Sequence, residues 1–277
     1  MMKQPRSEQI IGHVILVVGA LVALYPFLSI ILLSLIPSGQ RKGGTSTSTS
    51  ITFEHYLTAW TQGSFDSALT SSAIVAVSVV IGAGALSVLG GYALATMRFW
   101  GKGLLSALLL LGLVVPYEGI IIPLYYQLEG MGLLNTYWAL ILPQIATSVS
   151  LGVFWMRTFF MSVPSSLLEA ARIDGASRFG ALMRVYLPIS LPALGTLSVL
   201  LFLFTWNEFL MPLVLVSQNQ SVQTAPLSLS FFAGSQRTSD PSVTAAAAVI
   251  VALPILIVYI FLQRRFISGI VSGAVKE

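Results

Sequence analysis

Residues Glu169–Pro192 read EAARIDGASRFGALMRVYLPISLP, and the placing of this run decides the fold. It gathers charge in a chain where charge is scarce. Only 9% of the 277 residues are Asp, Glu, Lys or Arg, 56% are hydrophobic, and mean hydropathy is +0.87. A soluble protein carries about a quarter charged residues. The long uncharged runs on both sides of this stretch need an apolar solvent, and a bilayer supplies it.

At about 20 apolar residues per crossing, six membrane segments are expected, at 14–36, 67–97, 103–124, 130–156, 193–215 and 241–263. The first is too long for a signal-peptide core and lacks a persuasive small-residue cleavage site, so it counts as a helix. Six crossings put both termini on one side. If that side is cytoplasmic, Lys3, Arg6, Arg98, Lys102, Arg157, Arg172, Arg178, Arg184, Arg264, Arg265 and Lys276 face inward, against Arg41, Lys42 and Arg237 outside. The positive-inside rule selects that orientation. Loop 162–192 then lies in the cytoplasm, between the fourth and fifth segments of an all-α polytopic membrane protein. The repeat GGTSTSTS at 43–50 falls outside, cannot build a core, and is expected to be mobile.

Several function classes drop out. The chain has no cysteine, which removes disulfides and thiolate metal sites. It has no GxxxxGK[ST] phosphate loop, no HExxH and no GxSxG elbow. Its two histidines, His13 and His55, fall on opposite expected sides of the membrane, so neither a metal site nor histidine-based catalysis is expected. No catalytic residue is assigned, and no nucleic-acid partner.

The cytoplasmic loop reads as a helical hairpin. Ser166 followed three residues later by Glu169 matches a capping box just after Pro164. Gly175 offers the left-handed position that ends a helix, giving a first segment over 167–174. Ser177 can cap a second helix, whose Phe179, Leu182, Met183 and Tyr186 recur at three- and four-residue spacing as one apolar stripe. Leu187, Pro188 and Pro192 are expected to break that helix before the fifth membrane segment. The first helix presents Ala170 and Ala171 beside the charges of Glu169 and Asp174, a surface that another backbone could approach closely. Two readings fit: a docking arm for a partner, or an amphipathic connector on the lipid surface with its arginines on phosphates.

The run E-A-A-R-I-D-G-A-S at 169–177, followed by Leu187 and Pro188, resembles the EAA loop of ABC-type import permeases. FWMRTFFMSVPSSLLEAA from Phe154, LFLFTWNEFLMPLVLV from Leu201 and QRRFISGIVSGAVKE from Gln263 are similar to the carbohydrate-uptake branch, in its maltose-permease-like second subunit. The resemblance implies a type I importer fold, with Glu169, Ala170, Ala171, Asp174 and Gly175 as the coupling helix that docks on a separate ATPase. It also implies a second permease as heterodimer partner, two ATPase subunits that hold ATP and Mg, and an extracytoplasmic solute-binding protein. The location it implies is a bacterial plasma membrane, with both termini cytoplasmic.

The solute route rests on fewer residues. Glu118 lies within the third apolar segment and Glu208 ends the fifth uncharged run; ionisable groups at membrane depth mark a cavity, an ion pair or a function. Trp206, Asn207 and Glu208 together offer an aromatic face and hydrogen-bonding groups of the kind sugars take. The stronger alternative is Trp206 packing against a partner permease and Glu208 paired structurally or wetted near the outer boundary. Tyr125, Tyr126 and Tyr137 read as outer interface anchors, and Gly90 with Gly91 as a close helix contact. The outer loop 217–240 is long for a connector; its Gln218, Asn219 and Gln220 face the binding protein by resemblance. The function expected is carbohydrate import, with a sugar-phosphate or polyol as alternative solutes, and an ion-coupled secondary transporter or a structural membrane subunit as alternatives of another class.

Overall fold

In a computed structural model, residues 6–37, 51–234 and 240–274 are described. The expected mobile repeat at 43–50, and Lys3, Arg41, Lys42, Arg237 and Lys276 of the charge count, lie outside them. The described residues contain helices and turns but no strand. The helices are α1 (Arg6–Leu35), α2 (Glu54–Gln62), α3 (Phe65–Thr96), α4 (Lys102–Val114), α5 (Tyr117–Gly130), α6 (Tyr137–Ser162), α7 (Ser165–Ile173), α8 (Arg178–Ala181), α9 (Leu187–Trp206), α10 (Leu210–Leu215), α11 (Ala225–Gly234) and α12 (Pro241–Ala274). A π-turn over Leu182–Tyr186 joins α8 to α9.

Among the described residues, five stretches are long and apolar enough to cross a membrane: Ile11–Leu35, Phe65–Thr96, Tyr137–Ser162, Arg178–Trp206 and Pro241–Phe261. The pair α4 and α5 makes a sixth if counted as one span, but it is bent by 100°. The expected straight segment 103–124 is therefore corrected to a broken one. Val115 and Pro116 are both extended, with ψ of 117° and 122°, as the steric demand of a proline on the residue before it requires. The fourth segment begins at Tyr137 rather than 130, because Gly132 and Asn135 take positive φ (68° and 59°) and turn the chain first. The fifth, expected at 193–215, stops at Trp206; residues 207–209 leave the helix before α10.

The prolines of the fifth segment do not break it at its N-terminal end. The helix runs on from the π-turn, where Leu187 N–H donates to the Leu182 carbonyl five residues back. Pro188 has no N–H and its ring would crowd the carbonyl four residues earlier; the wider π-turn gives that ring room and keeps the axis continuous. The same turn explains why only half of the expected stripe is buried. Leu182 and Tyr186 are 2% exposed, whereas Phe179 and Met183 face outward.

The chain divides into two compact units. In the first, residues 1–65 with 228–253, none of the most apolar window of α1 is buried by the chain. Such a face suits lipid or another membrane subunit, since a bilayer solvates leucine as well as protein does. The end of α1 is tied to α2: His55 Nδ1 donates to the Ser34 carbonyl (3.0 Å), and Ser34 Oγ bonds the Tyr56 hydroxyl (2.6 Å). His55 Nε2 lies 4.0 Å from Asp240 Oδ2, and Asp240 Oδ1 accepts from Ser242 N (2.8 Å) to cap α12. His55 is buried and serves this joint; His13, exposed on α1, bonds only its own helix through the Gln9 carbonyl.

In the second unit, residues 66–227 with 254–277, the core lies among α3, α6 and α9, around Val79, Ala83, Leu140, Met156, Leu197 and Leu201. Gly91 brings α3 against α6: a β-carbon there would sit 2.8 Å from Arg157 N. Gly90 meets the Val153 side chain in the same way. The expected close packing of these two glycines is what the geometry requires.

Candidate functional site

Two features of the second unit answer to the expected sites, the hairpin between α6 and α9 and a cleft. In the hairpin, α7 starts one residue after Pro164, and the Leu167 N–H bonds the Pro164 carbonyl (3.2 Å). The expected capping box is corrected: no side chain caps this end. Proline, with fixed φ and no N–H to satisfy, starts the helix unaided. The other end is as expected. Gly175 has φ +77°, its N–H bonds the Arg172 carbonyl (3.0 Å), and Ala176 N–H bonds that of Ala171 (2.9 Å). This pair of bonds is the Schellman closure. Ser177 Oγ then accepts from Gly180 N (3.1 Å), capping α8.

Glu169, Ala170, Asp174 and Gly175 are exposed on α7, as the docking reading needs. Ala171 is not: it is 7% exposed, so it holds the hairpin together instead of forming its outer surface. Ile173, at 86% exposure, and Leu167 were missed as members of that surface. An exposed isoleucine beside the polar EAA residues was the available signal.

Behind the hairpin sits an aromatic joint of three helical elements. Tyr92 of α3 meets Tyr186 of the π-turn edge to face (5.2 Å between centroids) and Phe160 of α6 (6.0 Å); Phe160 and Tyr186 are 5.7 Å apart. All three rings are buried. The Tyr92 hydroxyl donates to the Arg178 carbonyl at the start of α8 (3.1 Å), fastening α3 to the hairpin backbone. Edge-to-face pairs have defined geometry, so the joint packs the hairpin directly against α3 and α6.

The cleft has a volume of about 690 Å3. Three pieces of chain form it: the break from Gly112 to Tyr117, one face of α6 (Gln144, Thr147, Ser148, Leu151), and the end of α9 with its break and Met211 of α10. Non-helical backbone at membrane depth is tolerated where it lines a cavity, and both breaks do so. Glu208 ties them together. Its Oε1 accepts from Met211 N (3.0 Å), in the first turn of α10, and from the Tyr117 hydroxyl (3.4 Å), at the start of α5.

Of the expected solute residues, Asn207 and Glu208 line this cleft and are brought together there. Trp206 does not; it is 3% exposed and stacked on Phe202 (5.3 Å), which makes it a core residue. Glu118 is exposed in the first turn of α5 and does not line the cleft either; its carboxylate suits a helix N-terminus. Sequence reasoning missed Gln144. Its side chain is 5% exposed, and its Nε2 is buried without a hydrogen-bond partner. A lone glutamine in an apolar run was the only signal, and it could not show what the side chain meets.

The segment after Ser217, expected as a long outer loop, is partly helical. Gln220–Val222 form a 3₁₀ turn, and 225–234 the apolar α11. The Ser221 carbonyl accepts from Ser71 Oγ (3.1 Å) and from the Tyr137 hydroxyl (3.3 Å). Tyr137 is thus a staple for this turn at the N-terminal end of α6. Asn219 is engaged in the turn, donating from Nδ2 to the Asn135 carbonyl (2.9 Å) and accepting from Ser221 N (3.2 Å). Gln218 and Gln220 are exposed. Of the other tyrosines, Tyr126 is exposed, whereas Tyr125 packs partly on the core.

The family of binding-protein-dependent transport system inner membrane components matches residues 87–271. The trehalose transport system permease protein SugB of Mycobacterium tuberculosis is 35% identical over 262 residues, 94% of each chain. The diacetylchitobiose uptake system permease protein NgcG of Streptomyces coelicolor is 32% identical over 268 residues, 96% of this chain and 88% of that one. Among solved structures, a chain of a bacterial ABC transporter involved in the import of the acidic polysaccharide alginate superposes with a TM-score of 0.78 at 26% identity. It covers 96% of this chain and 100% of its own.

Proposed function

The chain belongs to the family of binding-protein-dependent transport system inner membrane components, and on that premise we propose that it carries a carbohydrate across a bacterial plasma membrane, as one permease subunit of an ATP-driven importer. The observation that carries this reading is a largely apolar cleft with a few polar side chains, bounded by two helix breaks, in a chain whose permease relatives take up trehalose and diacetylchitobiose. The chain is a transport subunit; ATP and Mg belong to two separate ATPase subunits. A second permease forms a heterodimer with it, and an extracytoplasmic binding protein delivers the solute to the cleft. Both termini are cytoplasmic, which the distribution of Lys and Arg supports.

In this reading α7 is the coupling helix. Its exposed Glu169, Ala170, Ile173 and Asp174 dock on an ATPase, and Gly175 sets the angle at which the helix is presented. The permease is a two-state element, and moving it from one state to the other nearly completely takes a differential contact energy of about 5.5 kcal/mol. The α7 surface is where those contacts form, and the Tyr92–Phe160–Tyr186 joint is how they reach α3 and α6. Exposed Gln218 and Gln220 face the binding protein.

The test is ATP-driven uptake by the reconstituted complex, screened with trehalose, maltotriose, diacetylchitobiose, a sugar phosphate and a polyol. Glu169→Lys, or Gly175→Val at the left-handed position, is expected to lower ATPase co-purification or uncouple hydrolysis from uptake, with the chain still inserted in the membrane. Unchanged ATP-dependent uptake in both variants overturns the coupling role. Uptake driven by a proton gradient without ATP overturns the importer reading itself.

A further inference from the structure

We propose that the cleft is itself a solute-recognition subsite, built for a neutral, hydroxyl-rich molecule and read by the Gln144 amide. The inference rests on the permease reading and narrows its substrate class. Three observations on different elements carry it.

The first is the buried Gln144 Nε2 without a partner on α6, in a side chain that lines the cleft. A buried amide N–H left unpaired is costly, and native proteins keep such groups where they serve a purpose. The second is the company it keeps. Thr147 and Ser148 stand three and four residues further along α6, and Thr205, Asn207 and Glu208 line the same cleft from the end of α9. Positions three and four apart share a helix face, so the α6 contribution is one polar strip. Hydroxyls and amides both donate and accept, which is what a sugar hydroxyl requires of its partner.

The third is charge. Among the described residues lining the cleft, Glu208 carries the one charge, and no Lys or Arg is present. Its carboxylate is half-buried and held by Met211 N and the Tyr117 hydroxyl. A negative charge on the wall opposes a second one, so a uronate or a phosphate on the solute is disfavoured, whereas a neutral hydroxyl can donate to it. The structural relative imports an acidic polysaccharide; the one charge on the wall described here is itself negative.

The chain has no cysteine, so Ser148→Cys places a single thiol of nearly the same shape on the cleft wall. In the assembled complex with its binding protein, alkylation of this thiol by a maleimide is followed by mass spectrometry. The probes are the neutral saccharide that the uptake screen shows to be imported and trigalacturonate at equal concentration. The neutral saccharide is expected to slow alkylation at least fivefold and trigalacturonate less than twofold. Gln144→Leu, added to the same chain, is expected to abolish that protection. Glu208→Gln is expected to narrow the preference for the neutral over the acidic probe at least threefold.

Protection that survives Gln144→Leu, or no protection by a solute that is being imported, overturns the subsite while leaving the importer reading standing. Equal protection by trigalacturonate overturns the neutral class. Absence of ATP-driven uptake for every probe overturns the underlying function instead. Recovery of normal amounts of the assembled complex separates each of these outcomes from misfolding.

Discussion

Glu208 shows how much one side chain settles in this molecule. It ends an uncharged run and was expected to mark either a solute contact or a structural pair; its Oε1 holds the start of α10 and the hydroxyl of Tyr117 at the start of α5. Glu208→Leu leaves the Met211 N–H and the Tyr117 hydroxyl without that acceptor, so a loss of about 1–3 kcal/mol is expected, read as a lower unfolding temperature in detergent. Glu208→Gln keeps an oxygen acceptor and is expected to lose less than half as much. Trp206, next to it, illustrates the reverse lesson. Its chemistry suited a sugar, but burial against Phe202 made it core, and burial is not visible in a residue's identity.

At the scale of elements, caps and periodicity carried most of the reading. Gly175 and Ser177 end one helix and start the next where expected, because local backbone geometry decides both. Breaks were harder. Pro188 and Pro192 were expected to interrupt the chain, yet a π-turn accommodates Pro188 and α9 runs on through Pro192; Pro116, in a segment read as continuous, bends it by 100°. Whether a proline breaks a helix depends on whether neighbouring turns can adjust, which is a property of packing. The aromatic joint yields a prediction at this scale. Tyr92→Phe keeps the ring contacts and removes the bond to the Arg178 carbonyl, a net change of about 1 kcal/mol. Assembly is expected to persist, while the ATP hydrolysed per solute imported rises at least twofold.

At the scale of the whole molecule, the proposed function needs further subunits. It holds no phosphate-binding loop in its sequence, and the apolar window of α1 is not buried by the chain itself. Reconstituted alone in vesicles, it is expected to show no ATP-stimulated uptake; adding the second permease, the ATPase and the loaded binding protein together is expected to restore it. Uptake by the isolated chain at a rate comparable to the full complex would contradict this division of labour.

Membrane residency, the approximate number of spans and the place of the hairpin between two of them were legible from the sequence, because hydropathy and charge add up along contiguous residues and each span meets the bilayer on its own. The solute site was legible only in part. Asn207 and Glu208 stood out as polar groups at the end of an apolar run, but Gln144 did not, and Glu118 stood out without reaching the cleft. That cleft is assembled from residues 112–117, 144–151 and 201–211. Only the packing of α4, α6 and α9 brings those separated segments together, and only the two helix breaks open space between them. No local rule encodes which polar side chain faces that space, so the hairpin was written in the chain and the cleft was decided by the fold.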